Sequence, residues 1–166
     1  MDRPRQNNLH LYIKEMRNHS VTAVVRACEK SYETAPLEKA GIQVFDMEYA
    51  DGHSPPAEII QRWLELVDDT FFMGNAASAN GANSSSLPCI AIHCVAGLGR
   101  APQLVTLAMI EFANIDAVDA VTMIRKQRKG AINGKQLQYL NEYKRSYKKR
   151  RAGGASDSGD GCCIVM

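Results

Sequence analysis

Apolar residues recur along this chain in two periods, and the alternation between them predicts the architecture. Leu9, Tyr12, Ile13 and Met16 fall on one helical face, with Asn8 placed to cap its start. Residues 21–26, VTAVVR, form the β-branched run of a buried strand, and Ile42–Phe45 supplies a second after the Gly41 turn. The helical period returns over residues 57–72, with Ile59, Ile60, Trp63, Leu64 and Val67 inward. Residues 89–93 predict a third strand and 102–110 a helix. Two more helices are expected at 116–128 and 134–147, separated by the Gly130 and Gly134 breaks. Such an order predicts an α/β fold: a central, mostly parallel sheet flanked by helices, with any site at a strand's carboxyl end. Residues 74–86, GNAASANGANSSS, have no apolar period and read as a flexible surface loop.

The junction between the third strand and the next helix carries the chemistry. It reads His93-Cys94-Val95-Ala96-Gly97-Leu98-Gly99-Arg100. Glycines let a loop turn its N–H groups inward, which makes an anion nest at a helix N-terminus. An anion held by Val95, Ala96, Gly97, Leu98 and Gly99 would sit against Cys94, and Arg100 would fork onto two of its oxygens. The same positive field favours a thiolate, and a thiolate beside bound phosphate is the apparatus of covalent phosphoryl transfer. A cysteine ending a strand is more often simply core, and a glycine-rich turn before a helix is common in α/β proteins. Neither explains His, Cys, two Gly and Arg together in one loop.

The run HCVAGLGRAP resembles the signature loop of the phosphatases of regenerating liver, a branch of the cysteine-dependent dual-specificity phosphatases. Further segments resemble that family in the same order: Val24–Glu29, Pro36–Lys39, Asp51-Gly52, Gly130–Asn133 and Lys135–Leu137. The similarity runs from about Asn8 to Tyr147. Ala101 is the telling position, because most cysteine phosphatases place Ser or Thr after the arginine.

This resemblance implies a mechanism without metal or other cofactor. Cys94 would be the nucleophile, Arg100 the phosphate holder and Asp51 the general acid, by its place before Gly52. His93 and Gln136 would support them, the glutamine by orienting water. Cys28 matches the family cysteine that pairs with the nucleophile in a redox disulfide, whereas Cys89 reads as core. Two departures stand out. Met47-Glu48 replaces the usual Trp-Pro and Ala50 the first Asp of the acid segment, which bears on loop closure. Family members also begin with two strands before the helix at 9–18, where this sequence has only eight residues; either the chain starts upstream, or the domain is short and the strand at 89–93 is expected as a bare sheet edge.

Composition narrows the setting. The chain has 166 residues, enough for one well-buried domain, and 45% hydrophobic and 23% charged residues are globular values. Its five cysteines show neither a secreted disulfide pattern nor zinc spacing. The net charge of +2 is unevenly spread: residues 144–166 hold six Lys/Arg against two Asp/Glu. Cys163-Ile164-Val165-Met166 is a prenylation signal, its terminal Met favouring farnesyl, and Lys144, Arg145, Lys148, Lys149, Arg150 and Arg151 lie upstream. One lipid plus a polybasic stretch makes a two-part anchor for an anionic inner leaflet. We therefore expect a phosphatase domain over 1–147 and a basic, flexible, prenylated tail over 148–166. It would work on the cytoplasmic face of the plasma membrane or endomembranes, with a cytosolic pool, and without nucleic acid.

Two functions stay open at this level. One is hydrolysis of a phosphorylated protein or a phosphoinositide, slowed by the missing hydroxyl at Ala101. The other, implied by the resemblance, is a binding module whose pocket grips an acidic loop in the CBS-pair domain of a cyclin M-type magnesium transporter. The family also allows homo-oligomers at membranes. An arsenate reductase or rhodanese shares a Cys–Arg loop but leaves Asp51 and the prenyl signal unexplained.

Overall fold

The computed structural model describes residues 1–73 and 88–148 and the backbone of 164–165. Helix α1 (Leu9–Asn18) precedes strand β1 (Val21–Arg26); α2 (Ala35–Lys39) and β2 (Gln43–Asp46) follow. Then come α3 (Ala57–Asp68), β3 (Cys89–His93), α4 (Arg100–Ala113), α5 (Ala117–Gln127), α6 (Gly134–Glu142) and β4 (Ile164–Val165). The sheet order is β2-β1-β3-β4, and every pairing is parallel. The α/β reading therefore holds, and among the described residues the sheet has these four strands.

Burial on both faces explains why β1 and β3 read as unbroken apolar runs. Ala23, Val25, Ile90 and Ile92 pack against the layer formed by α3, α4, α5 and α6. Val21, Val24, Cys89 and Ala91 pack against α1 and α2 on the other side. A register irregularity between Val21 and Ala23 lets Val21 join the face of Val24. Among the described residues, no helix is long and apolar enough to cross a membrane.

Local expectations shift at several ends. Asn8 does not cap α1: its Oδ1 accepts from Arg5 N at 2.7 Å instead. The α3 helix stops at Asp68 and continues as one π-helical turn, Asp69–Met73. The last helix ends at Glu142, five residues early, where the chain turns extended at Tyr143. Helix α2, only five residues long, escaped the periodicity because it spans barely one turn.

Strand β3 is not a bare edge. The Met1 amino group donates to Ile92 O at 2.9 Å, and Arg3 N donates to Val95 O at 3.0 Å. Further along, Ile164 and Val165 pair with Ile90 and Ala91. Buried peptide groups need partners, and the chain's own segments supply them. The loop expected at 74–86 and the residues Lys149, Arg150, Arg151, Cys162 and Cys163 lie outside the described residues. Arg145 is not a free tail charge. It donates to Glu111 O at 2.9 Å, bonds Asn114 Oδ1, and lies beside the Glu111 carboxylate.

Candidate active site

Parallel pairing of β1 with β3 brings the two strand ends together, with Arg26 opposite His93. Beyond them the chain turns through Cys94–Gly99 into α4. Gly97 sits at φ +69°, and a Cβ there would lie 2.6 Å from Met1 O and 2.7 Å from Arg128 Nη2. Glycine is required on both counts. Three loop carbonyls are engaged from outside the cleft. Val95 O accepts from Arg3 N, Ala96 O from Arg128 Nη2 at 3.0 Å, and Leu98 O from Ile132 N at 2.7 Å. With those oxygens turned away, the loop N–H groups are left for an anion, as the nest requires. The cleft so formed, of about 280 Å³, is lined by Cys94, Val95, Ala96, Leu98, Gly99 and Arg100 together with Asp51 and Gln136.

Arg100, at the first position of α4, is only 5% exposed. Its Nη1 donates to Tyr49 O at 3.2 Å. Its Nε makes no hydrogen bond, although Asp51 Oδ1 stands 3.3 Å away. Glu29 Oε2 lies 3.7 Å from Nη1, while its other oxygen accepts from Arg3 Nη1 at 3.0 Å. Glu29's own backbone N–H holds its carboxyl below the ordinary range, and Arg100 and Arg3 add to this. Two carboxylates thus stand beside the guanidinium, and its unused Nε donor faces Asp51.

His93 is fully buried, directly before Cys94 in the chain. Burial pulls its pKa down to about 4, so the ring is neutral near pH 7. Its Nδ1 lies 3.3 Å from Cys94 O, which can only accept, so Nδ1 carries the proton. Nε2 then accepts from the Tyr32 hydroxyl at 2.7 Å. The imidazole supports the loop by position rather than by charge. Cys28 Sγ sits 3.9 Å from the same Nδ1, and burial pushes its thiol up to about 11. Cys28, Cys89 and Cys94 are buried, and Cys28 packs in the same core cluster as Cys94.

Gln136 is buried at the cleft floor and closes a capping box at the start of α6. Its backbone N donates to Asn133 Oδ1 at 2.9 Å, while its side-chain Oε1 accepts from Asn133 N at 3.1 Å. Its Nε2 donates to Gln103 Oε1 at 3.2 Å. Ala101, fully buried, presents a methyl group and no hydroxyl.

The structure therefore brings together Cys94, Arg100, Asp51, His93, Ala101, Gln136 and Cys28, from four separate segments. Sequence reasoning missed Glu29, Tyr32, Tyr49, Gln103 and Arg128. Gln103 left a signal, as the lone amide in the helical run 102–110. The others did not, because they meet the site only across strands and helices. Met47, standing where Trp was expected, is buried in the main core cluster and keeps the acid segment anchored.

Comparison with known proteins gives one answer. The family model for protein-tyrosine phosphatases matches residues 6–146. Human protein tyrosine phosphatase type IVA 3 is 44% identical over 141 residues, covering 85% of this chain and 75% of that protein. A solved Leishmania major structure bearing the protein tyrosine phosphatase name is 39% identical and superposes with a TM-score of 0.76, covering 87% and 86% of the two chains. Human DUSP28, at 19% identity, shares the fold with a TM-score of 0.53 over 82% and 85% of the chains.

Proposed function

This chain belongs to the type IVA branch of the protein-tyrosine phosphatases and is a phosphatase, and we propose that it cleaves phosphate monoesters through a phosphocysteine on Cys94. The single observation that carries this reading is the buried Arg100 lining the cleft of Cys94, with an unbonded Nε and the carboxylates of Asp51 and Glu29 beside its guanidinium. Incoming phosphate takes the place of those carboxylates on the guanidinium and the loop N–H groups. The Cys94 sulfur attacks phosphorus as the ester P–O bond breaks. Asp51, side chain three-quarters exposed at the cleft mouth, gives its proton to the leaving oxygen. In the second step water, held by Gln136, attacks the phosphocysteine. Its proton passes to the Asp51 carboxylate, and the electron pair of the S–P bond returns to Cys94.

Supports for the finer parts of the reading differ. A phosphotyrosine-like or phosphoinositide headgroup suits an anion nest, which reads phosphate and not its attachment. Cys28, 3.9 Å from His93 and in one buried cluster with Cys94, supports a role in trapping an oxidised Cys94 as a disulfide. Membrane anchoring rests on the sequence of the tail, and Cys163→Ser should leave at most a salt-sensitive vesicle association that is lost at high salt.

A second use of the pocket is favoured by the same carboxylates. A site that already holds Asp51 and Glu29 on Arg100 suits an acidic peptide loop, such as one in a CBS-pair magnesium transporter. Ala101 favours this use, since a slow second step keeps the pocket occupied. The test is intact mass spectrometry after mixing with an aryl phosphate. A phosphate adduct on Cys94 that is absent in Cys94→Ser is expected. Unlabelled protein that still turns over would overturn the nucleophile.

A further inference from the structure

A polar side chain in the middle of a packed helix face needs a reason. Gln103 lies one turn into α4, fully buried, between Pro102 and Leu104. Burying an amide costs several kcal/mol unless both its ends are hydrogen-bonded. Here only one end is used. Oε1 accepts from Gln136 Nε2 at 3.2 Å and lies 3.5 Å from the Tyr49 hydroxyl, while Nε2 has no partner among the described residues. A methionine or leucine would fill the same space without that penalty.

What the amide does accomplish is to fix Gln136. The Gln136 carboxamide is held at both ends, its oxygen by Asn133 N and its nitrogen by Gln103. It lies flat under the signature loop, with Nε2 only 3.2 Å from where a Gly99 Cβ would be. Gln103 N in turn donates to Gly99 O at 3.1 Å, so the same residue braces both the loop and the glutamine.

We propose that Gln103 is a positioning residue for the second chemical step: it holds Gln136 in the orientation that presents water to the phosphocysteine. The inference rests on the phosphocysteine reading above. Gln103 touches neither substrate nor nucleophile, so the first step does not need it. In a pocket where Ala101 offers the departing thiolate no hydroxyl, the orientation of water is the remaining handle on breakdown.

Gln103→Met keeps the volume and deletes the hydrogen bond. Rapid-mixing kinetics with an aryl phosphate should show an unchanged burst, within twofold, and steady-state turnover lowered about tenfold, as expected for one oriented hydrogen bond. With glycerol as competing acceptor, the fraction of phosphate passed to the alcohol should rise. A general weakening of α4 would slow both phases and leave that fraction alone. Gln136→Ala should behave in the same way, and the double variant should be no slower than either single one. The burst also counts folded sites, and Gln103→Leu serves if the Met variant does not fold. Additive effects, an unchanged partition between water and glycerol, or equal loss in both phases would overturn the role of Gln103 alone. A wild-type protein that turns over without any phosphocysteine would overturn the reading beneath it.

Discussion

Removing a single oxygen atom by Tyr49→Phe separates the hold on the acid loop from the chemistry of Asp51. The Tyr49 hydroxyl is buried and donates to Arg100 O at 2.8 Å, and the reverse contact runs from Arg100 Nη1 to Tyr49 O. The acid loop is thereby tied to the start of α4 twice, two residues before Asp51. Phenylalanine keeps the ring in place and deletes only the first tie. Arg100 O lies at the start of a helix and retains its ladder partner, so the loss is that of one ordinary neutral hydrogen bond, about 1 kcal/mol. Thermal unfolding should move down by roughly 2–4 °C for a chain of this size. An acid loop held less tightly by about 1 kcal/mol spends about fivefold less time in place. That factor should appear only where a proton must be given to the leaving group. We therefore expect kcat/KM for alkyl or weakly activated phosphates to fall about fivefold, and for strongly activated aryl phosphates to change less than twofold. A leaving-group series gives the slope directly. Equal loss across the series would refute the reasoning, because Tyr49 would then be acting through Arg100 rather than through the acid. An unchanged melting temperature would show that the 2.8 Å contact adds nothing to stability.

Three other outcomes follow from the same geometry. His93 is neutral in the fold with a pKa near 4 but titrates near 6.5 once unfolded, so the unfolded chain binds the extra proton between those values and stability is lost as pH falls through that window. The loss, on the order of 3 kcal/mol, should vanish in His93→Gln when denaturant midpoints are compared from pH 7 to pH 4; an unaltered slope would remove His93 as its source. Ala101→Ser adds a hydroxyl able to donate to the departing thiolate and should raise turnover about tenfold while leaving the burst alone; a rise in both phases would mean that breakdown does not limit the rate. Mild peroxide should convert Cys94 to a sulfenic acid that Cys28 captures with release of water, giving a disulfide that a dithiol reverses. Peptide mapping reads the bond, and a Cys28→Ser protein that recovers as fully as wild type would reduce Cys28 to a core residue.

How much of this was legible in the chain depends on the range of the interaction. Strands β1 and β3 are apolar on both faces because they lie between two helical layers, and that burial is written directly in VTAVVR and CIAIH. The signature loop was legible for a similar reason. Nucleophile, glycines and arginine are neighbours in sequence, since one turn between a strand and a helix must carry them all. Short helices and helix ends were less legible, because one turn has no period and a terminus is decided by what it packs against, as at Tyr143. Charge was misleading where contact mattered: Arg145 counts with the basic tail in the sequence but is spent on Glu111 and Asn114 in the fold. Above all, Glu29, Tyr32, Tyr49 and Gln103 come to Cys94, Arg100 and Gln136 only when parallel strands and crossing helices close. No spacing in the chain encodes those encounters. The sequence by itself determined that Cys94, the glycines and Arg100 share one loop, because a single strand-to-helix turn carries them all. The tertiary structure alone decided what holds those residues still, because a hydrogen bond across the sheet depends on where two distant segments are packed.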